Sequence, residues 1–214
     1  MRVYHFIKLE HGLDSLRDKR LKISLIDKLN DPFELLALKL LGEYDKELDE
    51  LMAKLKNFIS QKYGILCFSL DWNSPLLWAH YAGNHQGICL GFEISERAKP
   101  INVTYINKRY NRKLHKIIEE NNVEEMRKIL STKHTDWKYE KEIRLFTELA
   151  HKYEDKYYYN FSDSEDVVLK EVIIGCRAQS TKEEIIQEYG SDNINIFKVK
   201  PSYTDFTMVK DIEF

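Results

Sequence analysis

The sequence predicts an α+β domain, with a mixed or antiparallel sheet as its core and two long amphipathic helices packed beside that sheet. Runs of β-branched and aromatic residues indicate about eight strands, and apolar periodicity indicates about four or five helices. Strands and helices do not alternate regularly, which favours an α+β domain over a doubly wound sheet. No linker rich in Pro, Gly or Ser divides the 214 residues. We therefore expect a single domain, 1–214, in which 33–62 form a helical insertion or lobe.

Composition excludes several classes of protein. The chain is 43% hydrophobic and 32% charged, which is typical of a folded soluble protein. Its formal net charge of -2 provides no overall electrostatic attraction for nucleic acid. Cys67, Cys89 and Cys176 lie in apolar runs, as the reduced thiols of a cytosolic protein do. The N-terminus does not resemble a signal peptide and no window is apolar enough to span a membrane, so we expect a cytoplasmic protein without a membrane partner.

The chain begins with a strand. Aromatic and β-branched residues predict this strand at Arg2–Ile7, followed by a short helix at Gly12–Asp18 and a small strand at Leu21–Ser24. The segment NDPFE (30–34) then starts a helix, because it offers Asn and Asp as caps and Pro for the first helical turn.

The longest predicted helix runs from residue 33 to about residue 59. Apolar residues recur along one face at spacings of three and four, at Leu41, Tyr44, Leu48, Leu51, Leu55 and Phe58. This pattern fits a solvated helix packed on the body of the domain. It also resembles coiled-coil spacing, so a dimer or partner interface through this helix is a second interpretation.

Apolar runs and capping residues predict the remaining elements. Buried strands are expected at Gly64–Leu70 and Gly87–Ile94, with a short helix between them from Ser74 to Tyr81. A capped helix begins at Ser180 or Thr181 and ends at Gly190. The other elements are a strand ending near Ile106, a charged helix from Tyr110 to about Leu130, and strands at Glu142–Leu149, 155–162, Val167–Cys176, Ile194–Val199 and Thr207–Ile212.

Common catalytic motifs are absent from the sequence. It contains no G-x-G-x-x-G, no phosphate-binding loop, no H-E-x-x-H and no G-x-S-x-G. These absences argue against the common dinucleotide folds, P-loop NTPases, zinc proteases and α/β-hydrolases. The cysteines lie in strand-like runs, where a nucleophile would be poorly exposed.

The first two clusters of candidate residues combine histidines with aromatic rings. In a strand Tyr4 and His5 face opposite sides, so His5 on an apolar face is either a satisfied core histidine or a group that holds a ligand. Trp78 and Tyr81 lie three apart on one helix face, either in the core or beside a flat heteroaromatic ligand. The histidines at 80 and 85 either bond carbonyls at the helix end or line the same site.

The third cluster is DWKYEKEIRLF, from Asp136 to Phe146. Glu140 and Glu142 are two apart at the start of a predicted strand, so both are expected on one face. Arg144 continues that face and can supply the cation that two neighbouring carboxylates need. One interpretation is a surface salt-bridge ladder that contributes little energy. The other is a pair of carboxylates presented to a substrate hydroxyl.

These segments together resemble domain-of-unknown-function family 2971, a family of bacterial proteins. The matching segments, in order, are YHFIKLEHGLDSLRDKRLKIS with NDPFE, then CFS, PLLWAHYAGNHQGICLGFE, KHTDWKYEKEIRLF and LKEVIIGC. They extend from about Tyr4 to Cys176. NDPFE and WAHYAGNHQGICLGF are specific as a pair.

The layout is also similar to the ADP-ribosyltransferase fold. Proteins of that fold begin with a strand that carries His or Arg, as in VYHFI, followed by a helix and a turn, as in RDKRLKIS. They end with a strand-borne glutamate, often E-x-E, as in YEKEIRLF. The resemblance implies a split sheet and cleavage of the nicotinamide–ribose bond of NAD without a metal. The tyrosine of the second strand is missing, since GILCFS offers Phe68 and Ser69 instead, which is closer to a serine-type arrangement.

The second resemblance also implies residue roles. Glu142 would stabilise the oxocarbenium-like state through the ribose 2'-hydroxyl, Glu140 would orient the acceptor or act as base, and His5 would hold a ribose hydroxyl. Tyr81 or Trp78 would stack on nicotinamide. The candidate NAD-contacting residues are Tyr4, Asn30, Ser69, Trp78, His80, Tyr81, His85 and Arg144. We expect one cleft to be lined by His5, Ser69, Tyr81 and Glu142.

Three hypotheses for function follow. The first is an NAD-consuming transferase or glycohydrolase acting as a bacterial toxin or phage-defence effector, with a protein or nucleic-acid acceptor. The second is a non-catalytic module that keeps a ligand or partner site. The third is a nucleic-acid-modifying enzyme, for which the basic run KRYNRKLHK (108–116) is the sequence signal, although such a run also fits a solvated helix face.

Overall fold

The computed structural model describes residues 1–33, 50, 53–54, 57, 59–110 and 123–214. Within those ranges the chain forms thirteen strands, four α-helices and a further helical stretch at 59–62, and this mixture confirms the predicted α+β class. The long helix predicted over 33–59, the lobe predicted over 33–62 and the dimer interface placed on that helix fall largely outside the described residues. Within the described ranges, no helix is long and apolar enough to cross a membrane.

The main sheet has eight strands in the order β13-β12-β11-β4-β1-β3-β8-β5. Neighbouring strands are antiparallel, except that β11 and β12 are parallel and are connected through a helix at Lys182–Tyr189. The sheet is therefore mixed, as predicted. Its strands are β1 (Arg2–Ile7), β3 (Tyr63–Ser69), β4 (Ile88–Ile94), β5 (Ile101–Asn102), β8 (Glu142–Glu148), β11 (Val167–Ile174), β12 (Asn195–Pro201) and β13 (Met208–Lys210).

Two small sheets flank the main one. The antiparallel sheet β2-β10-β9 consists of Arg20–Lys22, Lys156–Asn160 and His151–Tyr153. The parallel pair β6–β7 consists of Thr104–Ile106 and Thr132–His134. Patterning did not predict β7 or β9, because three-residue strands are too short to show an alternating period. The strand predicted to end near Ile106 is in fact two strands, β5 and β6, separated by Val103.

The four helices are α1 (Leu9–Asp18), α2 (Pro75–Tyr81), α3 (Val123–Leu130) and α4 (Lys182–Tyr189). The helix predicted from Tyr110 to about Leu130 is described only as α3, since its earlier part lies outside the described residues. Thr181 caps α4, its side chain accepting a bond from the Glu184 amide at 3.2 Å, and Gly190 ends the helix in the left-handed conformation. The sequence thus predicted both the cap and the end of this helix correctly.

The two faces of the main sheet are covered by different groups of side chains. On one face Leu16 of α1 and Ile185 of α4 pack with Val3, Leu90 and other buried apolar residues. On the other face Trp78 and Ala82 pack with alternate strand residues such as Cys89, Ile173 and Phe197. This alternation is what a strand buried on both faces requires. The candidate site lies on the α2 side.

A tight turn joins α2 to β4 and fixes their relative position. Gly83, Asn84 and His85 all have left-handed backbone, with φ between 56° and 69°. At Gly87 an added Cβ would lie 2.2 Å from the Ile7 carbonyl oxygen, so only glycine allows this approach to β1. The turn therefore explains Gly83 and Gly87 of the WAHYAGNHQGICLGF motif in backbone terms.

Candidate functional site

A cleft opens where strands β1 and β3 diverge. These strands share a single register pair, Tyr4 with Ser69, whereas β1 pairs with β4 along its whole length from Arg2 to Ile7. The resulting cavity is about 270 Å³ in volume. It is lined by Tyr4, His5, Phe6, Ser24, Lys28, Leu29, Asn30, Cys67, Phe68, Ser69, Leu77, Tyr81, Lys133, Glu140 and Glu142. The predicted set of His5, Ser69, Tyr81 and Glu142 is thus present in one cleft.

A row of side chains crosses three strands at the floor of this cleft. Tyr4 of β1 is opposite Ser69 of β3, and Ser69 is opposite Glu142 of β8. Directly opposed residues of antiparallel strands share a face, so all three point to the same side of the sheet. The Ser69 Oγ accepts a bond from the Asp71 amide at 3.0 Å, which leaves its own proton available as a donor.

Glu142 is buried and held by two cations. The Arg144 Nε donates to Glu142 Oε1 at 2.8 Å and its Nη2 donates to Oε2 at 3.2 Å. The Lys133 Nζ lies 2.8 Å from the same Oε2. Burial alone would raise the pKa of the Glu142 carboxyl, but the charges of Arg144 and Lys133 outweigh burial and hold the pKa below its usual range. Glu142 is therefore an anion at neutral pH, with Arg144 on its face as the sequence predicted.

Glu140 has the same lysine as a partner but a different environment. The Lys133 Nζ donates to Glu140 Oε2 at 2.7 Å, and the Tyr81 hydroxyl donates to Oε1. Burial raises the pKa of the Glu140 carboxyl even though both partners favour its ionised form. The pKa values of the two carboxyls are thus shifted in opposite directions, which is the arrangement that separates a base from a permanent anion.

The backbone around Glu140 differs from the prediction. Glu140 ends a 3₁₀ helix, Thr135–Glu140, and Lys141 has left-handed backbone with φ of 44° before β8 begins at Glu142. The prediction that both glutamates start one strand was therefore wrong for Glu140. The two carboxylates converge on Lys133 because the chain turns between them, and not because of strand period.

Tyr81 connects Glu140 to the first part of the chain. Its hydroxyl accepts a bond from Asn30 Nδ2 at 2.8 Å and donates to Glu140. Burial and the Glu140 charge raise the pKa of Tyr81, so the hydroxyl keeps its proton. The predicted site residues Asn30 and Tyr81 therefore belong to one hydrogen-bonded chain with Glu140.

His5 spans the gap between the diverging strands. Its Nδ1 lies 3.0 Å from the Cys67 carbonyl oxygen, which can only accept, so Nδ1 carries the proton and Nε2 is left as an acceptor. Burial lowers the pKa of His5, and the ring is neutral near pH 7. The ring also makes an edge contact with Phe68, with centroids 5.8 Å apart.

Four predicted site residues do not line the cleft. Trp78 is fully buried, and its Nε1 donates to the Trp72 carbonyl at 2.7 Å, as a core residue would. His85 lies on a separate surface with Cys176 and Arg177. His80 is exposed at the rim, with Nδ1 2.9 Å from the Tyr139 hydroxyl. Arg144 is 1% exposed, and it bonds Glu142 and the Leu130 carbonyl, to which it donates at 2.5 Å. The stacking role given to Trp78 is therefore excluded by its burial.

Lys133 is a central residue of the site that the sequence did not predict. It is not among the site residues predicted from the sequence, yet its side chain is 4% exposed and bridges Glu140 and Glu142. No local pattern marks it, because the three-residue strand β7 is too short to show an alternating period and Thr132 and Lys133 are both buried.

Comparison with known proteins gives one match. Residues 77–145 match the family described as "Protein of unknown function (DUF2971)", which confirms the predicted resemblance over about a third of the chain. No curated protein and no solved structure matches the chain. The matched segment includes Tyr81, Lys133 and both glutamates of the cleft, whereas His5 and Ser69 precede it.

Proposed function

We propose that the cleft binds NAD and that the protein cleaves the nicotinamide–ribose bond, with transfer of ADP-ribose to an acceptor. The observation that carries this proposal is the pair of carboxyls at the cleft floor, whose pKa values are shifted in opposite directions, beside His5 and Ser69 on the neighbouring strands. The divergence of β1 and β3 supports it, because the resemblance to ADP-ribosyltransferases implies a split sheet.

Glu142 is suited to stabilise the transition state. Cleavage leaves positive charge on the ribose C1' and ring oxygen, and a fixed carboxylate that bonds the 2'-hydroxyl stabilises this charge more than the ground state. Lys133 and Arg144 keep Glu142 ionised and fixed in position. Such preorganised charge requires little rearrangement during the reaction.

Glu140 is suited to act as base, since its raised pKa makes it the better proton acceptor of the two. In the proposed step the bond between C1' and the nicotinamide nitrogen breaks, and its electron pair leaves with nicotinamide. A lone pair of the acceptor then forms the new bond to C1', and Glu140 takes the acceptor's proton. With water as acceptor the product is free ADP-ribose.

The remaining side chains are suited to hold the substrate. His5 can accept a bond from a ribose hydroxyl at Nε2, and Ser69 can donate from its hydroxyl. The Tyr81 ring, half-buried at the cleft wall, is the aromatic surface for nicotinamide in place of Trp78. At about 270 Å³ the cavity is slightly below the usual range for ligand sites, about 300–1,000 Å³, and suits the nicotinamide ribose rather than the whole dinucleotide.

A non-catalytic binding module is the second candidate. It is favoured by the close pairing of both carboxylates, since such a network also serves purely to specify a buried structure. The two candidates differ in turnover, since only the first releases nicotinamide.

The test combines calorimetry with product analysis. NAD is titrated into the protein, and free nicotinamide is followed by chromatography with and without candidate acceptors. We expect binding and steady release, and in Glu140→Gln a larger loss of transfer than of binding. Binding without release supports the non-catalytic module, whereas absence of both binding and release overturns the proposal. Release at cellular NAD concentrations would fit the toxin or phage-defence setting that we propose for this activity.

A further inference from the structure

A second polar surface adjoins the cleft along the β6–β7 pair. A cavity of about 360 Å³ lies at the end of this pair and includes Lys108, Arg109 and His134 in its wall. Lys133 lines both this cavity and the cleft, so the two spaces are neighbours. Arg109 lies over the Phe33 ring, at 5.6 Å from the guanidinium carbon to the ring centre.

The opposite end of the same strand pair is also cationic. A groove of about 410 Å³ there is lined by Lys99, Arg127 and Lys128, together with Thr104 and Ser131. Thr104 belongs to this groove and Ile106 to the first cavity. Thr104 and Ile106 are two residues apart, which is about 7 Å along the strand at roughly 3.3 Å per residue. Cations therefore lie at both ends of the strand pair, in a chain whose net charge is -2.

Aromatic rings form the rim between this surface and the cleft. Trp137 and Tyr139 lie on the 3₁₀ helix that ends at Glu140, with ring centres 6.3 Å apart and a tilt of 32°. His80 contacts Tyr139 edge-on at 5.7 Å, and all three side chains are exposed or half-buried. Asp136 contributes an acidic group to this region and is paired with His134 at 3.1 Å. Accessible aromatic rings beside a cationic groove are the two elements of sites for single-stranded nucleic acid.

We propose that this surface binds a single-stranded nucleic acid, and that a nucleotide held on the Trp137–Tyr139 rim is the acceptor for ADP-ribose. This acceptor assignment rests on the proposed function, whereas the binding surface does not. The cations lie in two separate grooves, one at each end of β6–β7, whereas a dinucleotide carries a single pyrophosphate, and this favours a strand over NAD as the ligand. The acceptor atom is a nucleophilic nitrogen or hydroxyl of that nucleotide, which bonds to C1' and gives its proton to Glu140.

The first test measures binding alone, without NAD. Fluorescently labelled single-stranded RNA and DNA of about 12 nucleotides are titrated with the full chain and followed by anisotropy. The variant Lys108→Glu/Arg109→Glu is compared with Lys170→Glu/Lys182→Glu, which makes the same change in net charge at exposed positions on β11 and α4. We expect the first variant to bind about ten-fold more weakly or worse, and the second to bind like wild type. In the first variant the slope of log K against log salt should also fall by about 1.4, because two phosphate contacts are lost and each contributes about 0.7. Equal binding by both variants, or equal competition from duplex DNA, overturns the proposal.

The second test addresses the aromatic rim. Trp137→Ala is expected to bind the oligonucleotide roughly ten-fold more weakly, and Trp137→Phe, which keeps a ring for stacking, to retain most of the affinity. If Lys108→Glu/Arg109→Glu instead weakens NAD binding and the oligonucleotide does not bind, the cations belong to the dinucleotide site and the proposal is overturned. Oligonucleotide binding without nicotinamide release supports the surface and contradicts only the proposed function.

Discussion

The ammonium of Lys133 and the carboxylate of Glu142 form a buried ion pair, 2.8 Å from Nζ to Oε2, in which neither side chain is more than 5% exposed. The same ammonium is 2.7 Å from Glu140 Oε2. One buried cation thus connects two carboxylates that belong to different elements, a 3₁₀ helix and a strand. The geometry of the candidate site depends on this lysine.

Replacement of Lys133 by Met should destabilise the protein strongly. The substitution keeps the bulk of the side chain but leaves two buried carboxylates without their shared cation, and removal of one partner from a buried pair costs about 3–5 kcal/mol. Lys138→Met, at an exposed position on the same 3₁₀ helix, is the control and should stay within about 0.5 kcal/mol of wild type. Urea unfolding measures both, and similar values for the two variants would refute the buried bridge.

Tyr81→Phe should shift the pH dependence of nicotinamide release. The Tyr81 hydroxyl lowers the pKa of Glu140 by donating to its carboxylate, so its loss raises that pKa further. The acid limb of the rate profile should therefore move to higher pH. Tyr139→Phe removes a hydroxyl that contacts His80 instead and should leave the limb in place. A limb that does not move in Tyr81→Phe would show that Glu140 is not the base.

His5 should make the protein less stable in mild acid. Burial lowers its folded-state pKa below the usual 6.5, so the unfolded chain takes up a proton first as pH falls. The stability contributed by neutral His5 is complete above pH 6.5 and is lost as pH decreases from 6.5 to the lowered folded-state pKa.

Comparison with His5→Gln isolates this contribution. The pKa of His85 is also lowered by burial and by Arg177, so both wild type and His5→Gln keep this second source of pH dependence. Urea unfolding between pH 7.5 and about 5 should give a smaller slope of stability against pH for His5→Gln than for wild type. Identical slopes would mean that the pKa of His5 is not lowered in the folded protein.

Gly87→Ala should distort the turn that positions α2 beside β1. The added methyl group would meet the Ile7 carbonyl at 2.2 Å, and backbone cannot move aside as a flexible side chain can. We expect a loss of about 3 kcal/mol. Gly190→Ala is the comparison, because nothing lies within 4 Å of that position and only the left-handed φ of 74° adds strain, about 1–2 kcal/mol. Thermal unfolding of both variants measures the two losses of stability. A smaller loss in Gly87→Ala than in Gly190→Ala would contradict this prediction.

Local patterns predicted the fold elements better than they predicted the site. The strand of His5, the capped helix at Thr181 and the strand that begins at Glu142 follow from period and capping, which depend on neighbouring residues. The burial of Trp78 and the position of His85 depend on how α2 docks on the sheet, which no local pattern encodes.

The same limit applies to the carboxylate pair. Sequence spacing suggested that Glu140 and Glu142 share a strand face, but their convergence comes from the left-handed turn at Lys141 and from Lys133, seven residues before Glu140. A buried lysine is indistinguishable in sequence from an exposed one. The pairing of Arg144 with Glu142 was predicted correctly, because it follows from the two-residue period of a single strand, although Arg144 does not line the cleft.

The most direct test of the central claim is nicotinamide release by Glu142→Gln. The amide can still accept a bond from Arg144 but carries no charge, so the transition state loses its stabilising anion. Calorimetry establishes NAD affinity, and circular dichroism establishes that the variant is folded. We predict NAD affinity within a few-fold of wild type and release slower by about a hundred-fold or more. Equal release by wild type and a folded Glu142→Gln would contradict the role given to this carboxylate.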